Sequence, residues 1–486
     1  MSRFIRVAQV AFMLFLFPSI CLGVDPAAYR EKAMNDAKSA KGELFAWKTV
    51  YYIDAFVKGY LAYNDTIWLD EGIKYYDWAL SKREPTHDKY VGWIGIYGGG
   101  DTGLTGEAFI SDAQVFDFIL SFCEVVMNDP ALKEKYGKKA EAYISEAKKQ
   151  LIEKWDKRGC YYEDGGFAAY IVQTTWFNVK KKEWEERPKE RRTENLNKHG
   201  TMASCFLKLY RLTKEPLFLE RAEKIFGHYK SIMRYHKKED RYVWNFWEPF
   251  GPFDMASKPK GWVDVHTFRS GYQAEEAGYF VDAYHAGVVF NEEDMKRIIN
   301  TNLWMWNKDE KKPVFKSADG VTPAGTLWSS LSDFNPTIRR LMENSLKSGG
   351  SEQGQIAYDY FKKVTNKEPV SFKRKLAASA GDVKVPEIPI YPCEDISMAV
   401  VIPGHISASS GDETKICCKI KAMGKIKVEL YSGDGKKNIK KLFDIDPKRV
   451  NEFYTERMTG KGIAPGDYRI RWTLNTSVME RPLKIE

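Results

Sequence analysis

The densest run of aromatic and polar side chains in this chain is Tyr242-Val243-Trp244-Asn245-Phe246-Trp247-Glu248-Pro249, and Trp262 to Gln273 follows soon after. Indole faces stack on the apolar faces of sugar rings, while amides and carboxylates bind hydroxyls, so such a surface suits a glycan. Tyr242, Asn245, Trp247, Glu248 and Trp262 are therefore candidates for substrate contact. The competing role for these indoles is to plug the top of a helical barrel. An earlier stretch adds Trp93, Tyr97, the glycines 98–100, Asp101 and Glu107. Its glycines lack the Gly-Lys-Ser/Thr ending of a phosphate loop, which argues against nucleotide binding.

His266, Arg269 and Tyr272 are spaced by three, so they fall on adjoining helical turns or one loop edge. In β-elimination from a uronic acid the carboxylate must be neutralised, a base must take the C5 proton, and an acid must protonate the departing O4. An Arg or Asn can neutralise, and a His or Tyr can serve as base or acid. A second group, Glu194-Asn195-Leu196-Asn197-Lys198-His199, leads into another apolar run. Asn195 reads as a helix cap, whereas Asn197 and His199 are expected at the same rim as the trio. His285, among Phe280, Val281 and Tyr284, reads as a core residue, and His228 and His236 read as solvated.

These residues need a scaffold, and helical periodicity from about Ala27 to Lys363 supplies it in pairs. Trp47 to Tyr63 pairs with Ile67 to Leu80, Val115 to Met127 with Ala131 to Trp155, Met202 to Leu212 with Phe218 to Met233, and Ala274 to Phe290 with Glu292 to Trp306. Each junction holds an Asn, Asp or Pro, the residues that stop one helix and start the next. In each pair the first member is apolar nearly all round and the second is amphipathic, which predicts an inner and an outer layer. The expected fold is mainly α: an (α/α) toroid or incomplete barrel of helical hairpins. Junctions between pairs run roughly 20 to 40 residues, far above the usual loop length. In antiparallel hairpins they must all lie on one face, so the long loops are expected to converge at one end.

Beyond Lys363 the pattern changes. Residues 367–394 have linker composition, and from 395 the apolar period is two, as in Ile426, Val428, Leu430 and Tyr468, Ile470, Trp472. The expected division is a signal peptide over 1–23, a toroid over 24–366, the linker, and a small β-sandwich accessory domain over 395–486. Arg3 and Arg6 before the apolar run Val7 to Cys21 predict export, secreted or periplasmic. Cleavage after Gly23 would remove two arginines and no acid, taking the formal charge from +9 to +7. The lysines are spread along the chain, so no nucleic-acid arm is expected, and no later segment is apolar enough for membrane insertion. No His-Glu-x-x-His or zinc spacing occurs; no cofactor is expected, and a structural or charge-neutralising metal ion stays open.

In architecture the mature chain resembles the (α/α)-toroid polysaccharide lyases that act on alginate, glucuronan and chondroitin. The resemblance implies a neutralising role for Asn197, base and acid roles for His266 and Tyr272, and Arg269 beside them. His199 can equally be the base and Tyr242 the acid. The function expected is cleavage of an anionic, uronate-containing polysaccharide by β-elimination. A glycoside hydrolase or uronate epimerase on the same scaffold is the alternative, with Glu248, Asp254, Asp264 and Asp101 as available carboxylates. A non-catalytic glycan-binding repeat protein is a further one.

Overall fold

The structure is a computed structural model that describes residues 24–96, 103–255, 270–323, 325–375 and 388–486. Its helices are α1 (Pro26–Ala37), α2 (Gly42–Tyr63), α3 (Ile67–Ser81), α4 (Phe109–Met127) and α5 (Pro130–Ala147), which continues through a π-helical stretch, Lys148–Glu153, into α6 (Lys154–Lys157). Then come α7 (Leu196–Thr213), α8 (Pro216–Ile232), α9 (Ser270–Ala286), α10 (Glu292–Met305), α11 (Pro336–Lys347) and α12 (Glu352–Lys363). Asp129 caps α5 by accepting from the amides of Ala131 and Leu132, with Pro130 in the first turn, and Asn291 and Asp294 form a capping box on α10. Each such cap stabilises a helix by about 1 kcal/mol.

The inner helices pack in sequence, α2 on α4, α4 on α7 and α7 on α9. A 3-10 turn, Ser329–Asp333, then links α9 to α11, and α12 returns to α2, so the ring closes. Outside it, α3, α5, α8 and α10 each pack on the inner helix preceding them. Val115, Phe116, Ile119, Leu120 and Phe122 of α4 are all buried, whereas α5 buries Tyr136, Ala140, Tyr143 and Ala147 and turns its lysines outward. Each large apolar side chain buried in this way stabilises the fold by about 1.5–3 kcal/mol. The fold is therefore an (α/α) toroid.

The inner faces also carry charge. Lys58 pairs with Asp54 on α2, and Lys208 of α7 reaches Asp117 of α4 at 2.9 Å, all of them buried. Arg211 and Glu124 pair nearby. Asp54 feels the charges of both Lys208 and Asp117, so three inner helices meet at this level.

After the 3-10 turn Thr365–Lys367 the chain becomes all-β. Ile396–Ile402, Glu413–Ile420 and Phe453–Thr459 form one sheet, and His405–Ile406, Ser477–Ile485, Gly466–Leu474, Ile426–Ser432 and Asn438–Ile445 the other. Val428 lies opposite Trp472 and Leu430 opposite Ile470, and these side chains form the core between the sheets with Ile416 and Cys418. The six described cysteines are buried and unbridged. Among the described residues no helix is long and apolar enough to cross a membrane.

Candidate functional site

Three of the long connections meet at the end of the toroid where α2, α4 and α7 begin. Residues 82–108 and 158–195 supply a four-stranded sheet there, Gly95–Ile96, Leu104–Gly106, Thr175–Asn178 and Glu183–Glu186. The sheet comes close because Gly42 has φ +56 and a Cβ on it would lie 2.4 Å from the Gly95 Cα. Only glycine satisfies both demands.

A cavity of about 240 Å³ opens among these elements. Glu43 enters from the first turn of α2, Gly106 to Phe109 from the start of α4, and Asn195 and Lys198 from the start of α7. Val172, Gln173, Trp176, Arg192 and Glu194 line it from the second long connection, together with Trp155 and Trp247. Trp247 is held by its indole N–H, which donates to the Thr193 carbonyl at 2.7 Å, and the Arg192 guanidinium lies over its ring at 5.5 Å.

Lys198 donates to Glu194 at 3.0 Å. Burial alone would lower its pKa, but the carboxylates of Glu194 and Glu43 and the nearby Tyr272 outweigh that and raise it, so the group is a fixed cation. Glu43 also accepts from the Trp47 indole at 3.2 Å. Glu107 differs, because Lys154 at 3.0 Å and Arg158 already offset its charge. The α2, α4 and α7 N-termini carry no side-chain cap, nor do those of the outer helices α3 and α8, whereas α5, α10, α11 and α12 are capped. Uncapped N-termini leave amide donors and the positive end of the helix dipole facing the cavity.

The expected site residues divide sharply. Tyr272 lies at this end, stacked on Phe246 at 5.7 Å with Trp47 5.9 Å away. Asn195 stands at the N-cap position of α7, as expected, but its side chain makes no capping bond and lines the cavity. Asn197 and His199 lie on the same helical turn but are buried in the toroid. Asn197 Oδ1 has no partner among the described residues, and His199 Nε2 is 3.1 Å from the Tyr170 carbonyl. Burial pushes the His199 pKa down to about 4, so this imidazole is a neutral core group and not a rim base.

Four of the substrate contacts expected from sequence lie elsewhere. Trp93 is packed against Phe45 and donates to the Ala79 carbonyl at 3.1 Å. Tyr242 is buried against α10, donating to Asp294 at 2.9 Å and accepting from Arg297, where a glycan has no access to its hydroxyl. Asn245 and Glu248 are buried, bonded to each other, and face the β-sandwich, where Asn245 donates to the Ser397 carbonyl at 2.9 Å. Asp254, a carboxylate considered for hydrolysis, is a fully buried hub accepting from the amides of Thr193, Phe250 and Gly251 and from the Thr193 hydroxyl. Tyr97, Asp101, Trp262, Asp264, His266 and Arg269 lie outside the described residues, as does the 1–23 segment. His285 is buried 3.3 Å from Asp333, as a core residue should be, but His228 is buried against Phe250 and not solvated.

Sequence reasoning missed Glu43, Gln173, Trp176 and Arg192. The signal was available in part, since Gln173, Trp176 and Arg192 sit in a long loop already expected at this face.

No protein-family model and no curated protein sequence matches the chain. Among solved structures it is similar to cellobiose 2-epimerase from Bacillus thermoamylovorans B4167, at 14% identity over 65% of this chain and 74% of that one, TM-score 0.39. A D-mannose isomerase is similar at 14% identity over 65% and 73%, TM-score 0.35. An inactive variant of the α-1,6-mannanase GH76A of Salegentibacter sp. HEL1_6, in complex with α-1,6-mannotriose, matches at 11% identity over 73% and 94%, TM-score 0.34. At these scores the likenesses say nothing about activity.

Proposed function

We propose that this protein is an exported carbohydrate-active enzyme that takes an anionic, uronate-containing polysaccharide into the cavity at the toroid mouth and cleaves it by β-elimination. The observation that supports this reading is the convergence of three uncapped helix N-termini, Lys198 and Arg192 on a cavity lined by Trp155, Trp176 and Trp247. Indoles stack on sugar rings, and fixed cations with helix dipoles favour a carboxylate. With the uronate charge offset, the C5 proton becomes acidic. A base removes it, the electron pair forms the C4–C5 double bond, the C4–O4 bond breaks, and an acid protonates O4. Tyr272, close to Lys198, is the described residue we assign to proton transfer. His266 and Arg269 keep the roles the resemblance gives them, and Asn197 and His199 drop out because they are buried and do not line the cavity.

One observation favours a second reading. Glu43 and Glu194 line the same cavity from different elements, and hydrolysis needs two carboxylates flanking the scissile bond. The deciding experiment is a panel of alginate, glucuronan, glycosaminoglycans and neutral glycans. Elimination yields new ultraviolet absorbance from the unsaturated uronate, whereas hydrolysis yields reducing ends without it. Reducing ends alone would replace the lyase reading with the hydrolase one, and binding without turnover would remove both.

A further inference from the structure

The residues that proved not to face the cavity have a job beside it. Asn245 and Glu248 flank Trp247, one of the indoles that line the cavity. Asn245 is fixed by the Ser397 carbonyl of the β-sandwich, and Glu248 lies near enough to the buried Arg481 guanidinium for their charges to interact. Between them, the Phe246 carbonyl accepts from the Leu196 amide at 3.0 Å and the Trp247 indole donates to Thr193, which tie this loop to the start of α7.

A second tether reaches the Val172–Trp176 segment of the lining. The hairpin Tyr161–Asp164 and Phe167–Tyr170 leads directly into Val172, Gln173 and Trp176. At its tip, Asp164 accepts from the Gly404 amide at 2.7 Å and lies 2.9 Å from the His405 ring nitrogen, both on the sandwich. At its base, the Glu194 amide donates to the Tyr170 carbonyl at 3.0 Å. A third strap joins the two parts where the Cys393 amide donates to the Tyr235 carbonyl at 2.9 Å.

We infer that the β-sandwich is a positioning element of the cavity: through Ser397, Arg481, Gly404 and His405 it holds Trp247 and the Val172–Trp176 wall at their working separation. Asn245, Glu248 and Asp164 are positioning residues in this account, not substrate ligands. The inference concerns the cavity named in the proposed function and so rests on that reading for its catalytic meaning.

Hydrogen exchange on the full chain tests it without a substrate. In the double variant Asp164→Ala, Asn245→Ala, amides in 170–176, 193–198 and 244–249 should exchange about tenfold faster, while α5 and the sandwich core keep their wild-type rates. Asp164→Asn, which retains an acceptor for the Gly404 amide, should restore the hairpin. If the double variant does not fold, His405→Ala, which loosens the Asp164 tether alone, should speed exchange in 170–176 by about threefold and leave 244–249 at its wild-type rate. On any polymer turned over, the double variant should raise KM about tenfold with kcat within about threefold. Unchanged exchange in the three segments, or acceleration spread evenly over the toroid, overturns the inference. A protein that turned over no glycan would defeat the functional reading and leave the exchange result to decide this one.

Discussion

The mouth cavity and the charged cluster inside the ring are built from the same residue types and do opposite work. Lys198 with Glu194 and Glu43 faces open space, whereas Lys208 with Asp117 and Asp54 is enclosed by helices α2, α4 and α7. In the enclosed cluster each charge has its partner supplied by the protein, so its role ends with the fold. At the mouth Lys198 is likewise paired with Glu194, but a cavity adjoins the pair and leaves room for an outside group. What separates a site from a brace is whether space adjoins the charges, not which charges they are.

That contrast is easiest to break at the enclosed end. Lys208→Ala removes a buried cation from beside Asp117 and Asp54 and should cost about 3–5 kcal/mol of stability, read by denaturant unfolding. A loss below about 1 kcal/mol would mean that the cluster is hydrated after all.

Next is acidity. His199 is neutral in the fold with its pKa pushed down to about 4, against about 6.5 when unfolded. Because its folded value is the lower one, the stability it contributes is complete above pH 6.5 and is lost as pH falls toward 4. The loss is on the order of 3 kcal/mol. Comparing wild type with His199→Gln across that range isolates the slope, and parallel pH profiles would show that the imidazole titrates normally.

The smallest effect belongs to the rim. Trp247→Ala should raise KM about two- to tenfold, equivalent to ~0.5–1.5 kcal/mol of lost stacking, and leave the unfolding midpoint within a few degrees of wild type. An unchanged KM would take the indole out of the binding surface.

Much of the scaffold was legible because apolar periodicity and the Asn, Asp and Pro junctions are local signals. The misplaced boundaries are instructive. Helices α2, α4, α7 and α9 begin four to six residues before their expected apolar starts, and those extra turns hold Glu43, Asp112, Asn197, Lys198 and Gln273. Polar first turns look like loop when read by hydrophobicity, yet here two of their side chains, Glu43 and Lys198, line the mouth cavity. The convergence of long loops was legible for the same topological reason that hairpins alternate. The fate of Asn245, Glu248 and Tyr242 was not, since nothing within residues 242–248 reveals that Ser397, Arg481 and Asp294 will cover them. An aromatic and polar run has the same composition whether it lines a cleft or a seam between two parts of the fold.

The measurement closest to the central claim is turnover by Lys198→Met on whichever uronate polymer the wild type cleaves, with unfolding followed on the same sample. The cavity account predicts a fall of at least about a hundredfold, or ~2.7 kcal/mol of transition-state stabilisation, in a protein that is still folded under the assay conditions and has lost less stability than Lys208→Ala. Activity within about twofold of wild type in a folded Lys198→Met protein would place the chemistry somewhere other than this cavity.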